Sequence, residues 1–372
     1  MRYVGEAVKR AFKYRFYPTP EQAELMNRTF GCVRKVYNKA LEARTVAYAV
    51  DGRSVSYAQT SALLTAWKAD ADLAFLNEVS AVPLQQTLRH LQTGFTAFFA
   101  KRCGYPRFKS RHKSRGSAEF TRSAFRFRDG ELTFAKMAEP LNIVWSRPLP
   151  EEALPSTVTV SRDRSGRWHV SLLCEDPRVH PLPTVDAAVG VDLGITSLAT
   201  LSTGEKITNP RHERTARHKL AKAQRDLARK VADSKNRAKA KLRVARVHAR
   251  IADRRRDHLH KLSTRLVREN QTVVVEDLAV RNMIKNHSLA RAISDVAWSQ
   301  LRAMLDYKCR WYGRNLVVVD RWYPSSKTCS TCGTRTATLP LNTRIWSCVC
   351  GVVHDRDLNA ARNILVAGLA NR

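Results

Sequence analysis

Apolar and polar residues alternate at the beginning of the chain. Residues 11–17 place apolar and basic side chains in turn, a pattern typical of a half-buried strand. A helix is predicted to begin directly afterwards, because Thr19 can serve as its N-cap and Gln22 completes a capping box. Apolar positions then follow a helical period over residues 20–100, with a break predicted at Asp51-Gly52.

The pattern changes to a period of two in the middle of the chain. Residues 125–175 predict strands joined by a turn at 163–166, and the proline-containing residues 176–186 predict a linker between domains. Strands and helices are mixed beyond the linker. The elements predicted there are strands at 187–195 and 197–201, basic helices near 212–231 and 236–268, a buried strand at 272–275, a helix near 294–313, a strand at 316–319 and a helix at 357–367.

The composition excludes several classes of protein. The chain has 372 residues, of which 44% are hydrophobic, which is enough for a packed core and roughly two or three domains. No apolar run reaches the roughly 18 residues that cross a bilayer, and the first residues lack the apolar core of a signal peptide. We therefore expect a soluble protein of a reducing compartment, with no membrane partner.

The net charge of +32 indicates a polyanionic partner. Nucleic acid is the first hypothesis, since Lys and Arg displace counterions from phosphates, and a basic ribosomal-type binding protein is the alternative. Residues 211–256 contain eighteen Lys/Arg against four Asp/Glu. Aromatic faces stack on unpaired bases, although each aromatic residue could also pack in a core. Residues 101–128 contain ten basic residues and one acidic residue, interleaved with Tyr105, Phe108, Phe120, Phe125 and Phe127.

Three acidic residues stand where a purely structural acid is not expected. Asp192 lies inside an apolar strand, Glu276 ends the buried run 273–275, and Asp357 opens the last helix. They are 84 and 81 residues apart, so only the tertiary fold can bring them together. Buried carboxylates that face one another repel, and divalent cations relieve the repulsion. Two Mg²⁺ ions about 4 Å apart would promote phosphodiester hydrolysis, and this order of acids is typical of a ribonuclease-H-like nuclease.

Two of these acids have an acidic neighbour that could take the same role. Glu276 is preferred to Asp277 because it shares a strand face with a core valine two positions earlier. Asp357 is preferred to Asp355 because small residues follow it after one turn and permit close packing. Alternatively, Asp357 is an ordinary acid of a helix N-terminus and Glu276 a surface acid. Gly190 would let a backbone or the substrate approach the first acid closely.

The eight cysteines divide into two groups. Cys329 with Cys332, and Cys348 with Cys350, form two pairs that predict one structural Zn²⁺ in a four-cysteine ribbon. The second pair has the spacing C-x-C in place of C-x₂-C, so His354 could replace one thiolate. Disulfides are the weaker alternative in a reducing compartment. The scattered cysteines, which we expect to be buried free thiols, are Cys32, Cys103, Cys174 and Cys309.

Several stretches of the chain match one family. Over essentially its whole length the chain resembles TnpB, the RNA-guided nuclease that insertion sequences encode and that is similar to compact type V CRISPR effectors. The matching stretches are Arg15-Phe-Tyr-Pro18, Gly104-Tyr-Pro-Arg-Phe-Lys109, Gly190-Val-Asp192-Leu-Gly-Ile195, Val274-Val-Glu276-Asp-Leu278, Ile293-Ser-Asp-Val-Ala-Trp298, Tyr323-Pro-Ser-Ser326, the cysteine pairs and His354-Asp-Arg-Asp-Leu-Asn-Ala-Ala361.

The resemblance implies an α+β multidomain fold. A RuvC-like, ribonuclease-H-like nuclease domain would span residues 186–372 and carry a zinc-ribbon insertion at 325–352. A wedge domain, a β-barrel of oligonucleotide-binding type, would combine residues 1–20 and 122–185. A helical recognition domain would take residues 21–121.

The resemblance also implies an activity. The chain would be an Mg²⁺-dependent DNA endonuclease of a transposable element, with two catalytic ions on Asp192, Glu276 and Asp357. A guide RNA derived from the mobile element would select double-stranded target DNA by base pairing, next to a short motif that the protein reads. Such a protein would act in the prokaryotic cytosol, associated with the nucleoid, and a separate transposase of the same element is a further possible partner.

Residues 82–99 resemble the motif-reading helix of the family. Gln85 and Gln86 suit hydrogen bonds with base edges, although they could also be ordinary surface amides.

Two other functions stay open: an RNA-guided repressor that binds DNA without cutting it, and a transposase that joins strands with the same metal chemistry. The presence of all three acids argues against the repressor.

Overall fold

The chain forms two compact units in the computed structural model. The structure describes residues 8–111, 114–151, 153–340 and 342–370. The first unit is Met1–Arg178 and the second is Val179–Arg372. Residues 177–187 form neither helix nor strand, which agrees with the linker predicted at 176–186.

The described residues of the first unit combine an antiparallel sheet with three α-helices. Five strands form this sheet in the order β2-β6-β7-β1-β5, while β3 and β4 pair as a separate hairpin. The elements are β1 (Val8–Tyr17), α1 (Pro20–Asp51), α2 (Tyr57–Ala69), a 3₁₀ helix (Ala71–Asn77), α3 (Ala81–Phe99), β2 (Gly116–Thr121), a 3₁₀ turn (Arg122–Ala124), β3 (Phe125–Arg128), β4 (Glu131–Phe134), β5 (Asn142–Val144), β6 (Thr157–Arg162) and β7 (Trp168–Asp176).

Helix α1 begins and ends as its sequence predicts. The Thr19 hydroxyl accepts a hydrogen bond from the backbone N–H of Gln22, and the Gln22 side chain accepts one from the N–H of Thr19, so the capping box is complete. Gly52 ends the helix with a φ of 63°, a left-handed conformation that glycine adopts without strain. Both predictions are confirmed.

One hydrophobic core joins the helices of this unit to its sheet. The alternate residues Phe12, Tyr14 and Phe16 of β1 are buried in the same cluster as Met26 of α1 and Leu88 of α3. The predicted borders between a wedge domain and a helical recognition domain therefore cross a shared core, and they stay a prediction.

The aromatic residues of segment 101–128 divide between core and surface. Phe120 is fully buried in the core, and Phe125 and Phe127 pack partly against it. Tyr105 and Phe108 are exposed and remain available for stacking. The prediction that Cys103 is a buried thiol is wrong, because it lies in the turn after α3 and is exposed.

The second unit is built on a mixed sheet of five strands. Its elements are β8 (Ala188–Leu193), β9 (Ser197–Leu201), β10 (Lys206–Thr208), α4 (His212–Ala228), α5 (Lys235–Glu269), β11 (Thr272–Glu276), α6 (Val280–Met283), α7 (Ala290–Val296), α8 (Trp298–Tyr312), β12 (Asn315–Val319), β13 (Ile345–Ser347), β14 (Val353–Asp355) and α9 (Arg356–Ala370).

The strand order of this sheet is β10-β9-β8-β11-β12. β10, β9 and β8 pair in antiparallel fashion, and β8, β11 and β12 are parallel. Val189 and Val275 pack on the face that carries α5 and α8, whereas Val274 packs with Ile364 of α9 on the other face. This is the ribonuclease-H-like arrangement that the order of the acids predicts.

The helix predicted near 294–313 is two helices. Ala297 has a φ of 54° and separates α7 from α8. Asp295 is buried before the break, where its carboxylate accepts hydrogen bonds from the backbone N–H of Glu213 and from Arg255. Trp298 is buried after the break. The left-handed residue ends α7 and begins α8, so the predicted helix is interrupted at this position.

The described residues contain no helix that combines the length and the apolarity needed to cross a membrane.

Candidate functional site

Two neighbouring parallel strands bring Asp192 and Glu276 together. Val274 of β11 lies opposite Gly190 of β8, and Val275 lies opposite the residue after it. The next positions along the two strands are Glu276 and Asp192. Their carboxylates lie within hydrogen-bonding reach of each other at the carboxyl ends of the strands.

Helix α9 packs tightly on the sheet face that carries Gly190 and Val274, and it contributes Asp357. A Cβ added to Gly190 would lie 2.1 Å from the carbonyl oxygen of Ala361, and one added to Gly368 would lie 2.3 Å from Val274. The close approach expected at Gly190 is therefore made by the backbone of α9. Glycine at this position lets the first turn of α9 reach the strand ends.

The three predicted acids line one open cavity of about 400 Å³. Burial raises the pKa of Asp192 well above its ordinary value, and the carboxylates of Glu276 and Asp357 raise it further. Burial also raises the pKa of Glu276, although a hydrogen bond from Ser325 opposes the shift. Such a group binds either protons or cations, so the donor set suits Mg²⁺.

The carboxylates are spread more widely than a set of ligands around a single ion. Among the described residues, they do not form a group whose ligand atoms all lie within 4.8 Å of one another. Asp357 pairs with Arg344 at 3.5 Å. Two ions about 4 Å apart would span such a set. The roles of Asp192, Glu276 and Asp357 as metal ligands stay a prediction.

The acidic neighbours of these residues have structural partners. Asp277 forms ion pairs with Arg302 and Arg321. Asp355 pairs with Lys206 at 2.7 Å, and it accepts a hydrogen bond from a backbone N–H in the first turn of α9. The described lining of the cavity includes Glu276 and Asp357 and neither of these neighbours, which favours Glu276 and Asp357 for the site.

Sequence reasoning missed the side chains that surround the acids. Ser325 is buried and donates a hydrogen bond of 3.0 Å to Oε1 of Glu276. Asn363 of α9 donates a hydrogen bond of 2.7 Å to the carbonyl of Ser325 and so fixes this loop. Arg344 and Arg356 also line the cavity. Ser325 and Arg356 lie in stretches that match the family, whereas nothing in the sequence marks Arg344.

The four paired cysteines come together in the loop before α9. All four Sγ atoms lie within 4.8 Å of one another, and the Sγ distances are 3.8 Å between Cys329 and Cys350 and 3.6 Å between Cys332 and Cys348. A tetrahedron with Zn–S bonds of about 2.3 Å has edges of about 3.8 Å. The cluster therefore fits Zn²⁺. Hydrogen bonds from Thr334 lower the pKa of Cys332 to about 6, which favours the thiolate.

His354 borders this cluster. It is buried, and its Nε2 lies 3.0 Å from Sγ of Cys329. All four thiols are present in the group, so His354 suits the role of a hydrogen-bond donor to a thiolate. The choice between four cysteines and a set that includes His354 stays open.

The predicted base-reading amides lie on α3 of the first unit. Gln85 is exposed and Gln86 is half-buried. Their role stays a prediction.

Three family models match parts of the chain. A model described as "Probable transposase" matches residues 169–287, and a model described as "Cas12f1-like, TNB domain" matches residues 298–364. A model described as "Helix-turn-helix domain" matches residues 6–53, of which the structure describes residues 8–53 as a strand and one continuous helix.

Relatives match almost the whole chain. A Streptomyces pristinaespiralis protein is 71% identical over 98% of this chain and 90% of its own length. InsQ of Escherichia coli K12 is 32% identical over 97% of this chain and 92% of its own length. Both carry the name "Putative RNA-guided DNA endonuclease". A cryo-EM structure of a Cas12f1–sgRNA–target DNA complex matches 96% of this chain and 98% of its own chain at 13% identity, with a TM-score of 0.58. The predicted α+β multidomain fold is thereby confirmed, and the chain belongs to the TnpB family.

Proposed function

We propose that this protein is an RNA-guided, Mg²⁺-dependent DNA endonuclease. The observation that carries the proposal is the meeting of Asp192, Glu276 and Asp357, from three separate elements, at one open cavity of a chain with a net charge of +32. Carboxylate sites of this kind serve phosphodiester hydrolysis. The names of two near full-length relatives support the same activity.

The cavity supplies what metal-assisted hydrolysis needs from the protein. Two Mg²⁺ ions held by the three carboxylates would activate water and neutralise charge on the phosphate. Ser325 holds Oε1 of Glu276 at 3.0 Å, which fixes the orientation of that carboxylate. Arg344 and Arg356 at the cavity would attract the phosphates of the substrate strand and stabilise the developing negative charge.

The two basic segments would hold nucleic acid. Helices α4 and α5 carry most of the positive charge of residues 211–256, and segment 101–128 adds exposed rings beside its cations. These surfaces would bind a guide RNA and its hybrid with double-stranded target DNA, since phosphate contacts position a strand while base pairing selects it. We place this activity in the prokaryotic cytosol, at the nucleoid.

The test is a cleavage assay with the RNA that copurifies with the chain and a matching DNA target. We expect Asp192→Asn to bind target as the wild type does and to cut at least about 10³-fold more slowly in Mg²⁺. Asp129→Asn is the control, because Asp129 is exposed and Asn tolerates its φ of 51°. Full cutting by Asp192→Asn would refute the metal site, and tight binding without cutting by the wild type would favour a repressor.

Strand joining is the second candidate, because the model matching residues 169–287 is described as "Probable transposase". The same carboxylates could direct a DNA 3′-hydroxyl to phosphorus in place of water. Joined products formed by the purified chain alone would favour this function over hydrolysis.

A further inference from the structure

A second cavity, of about 470 Å³, opens beside the candidate active site in the second unit. It lies between the strand ends and α8, on the face of the sheet opposite α9. The two cavities share Leu193, Glu276 and Trp298 in their walls. A molecule bound at the carboxylates therefore adjoins the second cavity.

The walls of this cavity are mostly apolar and only partly covered. Packed interiors leave few such voids, and a concave apolar site with a few polar groups is the usual form of a ligand pocket. Its partly exposed apolar residues are Leu193, Leu278, Val280, Leu316 and Val318.

Trp298 lies in the wall that the two cavities share. Its side chain is 97% covered (3% exposed), and its indole N–H has no partner among the described residues. Ala297, directly before it, holds a left-handed conformation. Backbone strain of this kind tends to occur at functional sites.

Apart from Glu276, which both cavities share, the charged groups of this wall are already neutralised. Arg302 pairs with Asp277, and Asp306 pairs with Arg310. A phosphate would find no free cation here among these groups, whereas an uncharged ring would find apolar faces. The chemistry of the cavity thus favours a nucleobase over a phosphate.

We propose that this cavity binds one unpaired nucleobase of the strand whose phosphate lies at the carboxylates. The inference rests on the proposed function and names a subsite of the same active site. The apolar walls cover the faces of the base. Holding the base fixes the scissile phosphate for attack.

The test scans the cleaved strand of the DNA target with single abasic nucleotides. We expect one position near the cut where loss of the base slows wild-type cleavage about tenfold, as for loss of one stacked base. Val318→Trp, which fills the cavity from a partly exposed position, should slow cutting of the intact target by a similar factor. In the Val318→Trp variant, the same abasic nucleotide should then change the cleavage rate by less than about twofold. Val366→Trp, exposed on α9 outside both cavities, is the matched control.

A second measurement does not depend on cutting. In Ca²⁺, a target with 5-iodouracil at the sensitive position should photocrosslink to residues 298–302 of the wild type and not of Val318→Trp. Equal cutting of every abasic target, or unchanged cutting by Val318→Trp, would overturn the base subsite and leave the proposed nuclease standing. A wild type that neither cuts nor crosslinks its bound target would overturn both.

Discussion

Gly190 lies so close to Ala361 that an added Cβ would stand 2.1 Å from the carbonyl oxygen of that residue. The contact joins the strand that carries Asp192 to the helix that carries Asp357. It therefore fixes the distance between two of the three carboxylates, although neither glycine nor alanine has any chemistry of its own.

Gly190→Ala should damage the active site without touching a carboxylate. The added methyl group meets backbone atoms of α9, which cannot rotate away, so we expect a loss of about 3 kcal/mol in unfolding free energy and displacement of Asp357. Denaturant unfolding and the cleavage rate measure the two effects. Gly31→Ala is the control, because nothing lies within 4 Å of its added Cβ and alanine favours helix α1 by about 0.5–1 kcal/mol. Wild-type cutting by a fully folded Gly190→Ala variant would contradict this role.

Some of the residues that build the site can be predicted from the sequence, and others cannot. Asp192 can be predicted because an acid conflicts with the apolar pattern of its strand. Thr19 can be predicted because it agrees with the pattern of a helix cap. Ala297 and Ser325 have no such signal. Ala297 takes its left-handed conformation at the break between two helices, and Ser325 acts through a contact with Glu276, 49 residues away. Such features arise from tertiary packing, which periodicity and spacing do not describe.

Ser325→Ala should weaken the metal site. The Ser325 hydroxyl donates a hydrogen bond of 3.0 Å to Glu276 and opposes the rise of the Glu276 pKa. Loss of the hydroxyl therefore leaves a carboxylate that is more basic and less fixed in orientation. We expect the Mg²⁺ concentration for half-maximal cutting to rise about tenfold, with guide RNA binding unchanged. Ser294→Ala, an exposed helical serine, is the matched control. An unchanged Mg²⁺ dependence would show that Ser325 does not orient Glu276.

The cysteine cluster should hold one zinc ion per chain. We expect Cys332→Ser to lose the metal, since a hydroxyl is a far weaker zinc ligand than a thiolate. Cys103→Ser removes an exposed thiol outside the cluster and should keep the ion. Elemental analysis of the purified variants gives the stoichiometry.

His354→Ala decides between the two ligand sets. If four cysteines bind the ion, this variant keeps one zinc and loses it to a chelator about 10-fold to 100-fold more readily, because only the hydrogen bond to Cys329 is gone. Complete loss of zinc would make His354 a ligand.

The basic helix α5 should contribute to binding through phosphates. Arg250 is exposed, and Arg250→Gln should weaken guide RNA binding and lower the slope of log K against log salt by about 0.7–0.9. Arg53→Gln removes an exposed cation that already pairs with Asp51 at 3.0 Å, so its slope should stay at the wild-type value. Filter binding at 50–300 mM salt measures both; equal slopes for all three chains would place Arg250 outside the interface.

Acid should destabilise the first unit through His169. Burial, with Lys13 nearby, lowers the pKa of this imidazole to about 4, and its Nδ1 is buried with no partner in the part of the chain that the structure describes. The unfolded chain takes up a proton near pH 6.5, whereas the folded chain resists it until about pH 4. The contribution of the neutral His169 to stability is therefore complete above pH 6.5 and is lost as the pH falls from 6.5 to 4.

In His169→Gln the denaturant midpoint should vary less between pH 6.5 and pH 4 than in the wild type. Replacing the exposed His287 by Gln should leave the pH dependence of the wild type. Parallel curves for wild type and His169→Gln would show that His169 is not held neutral by the fold.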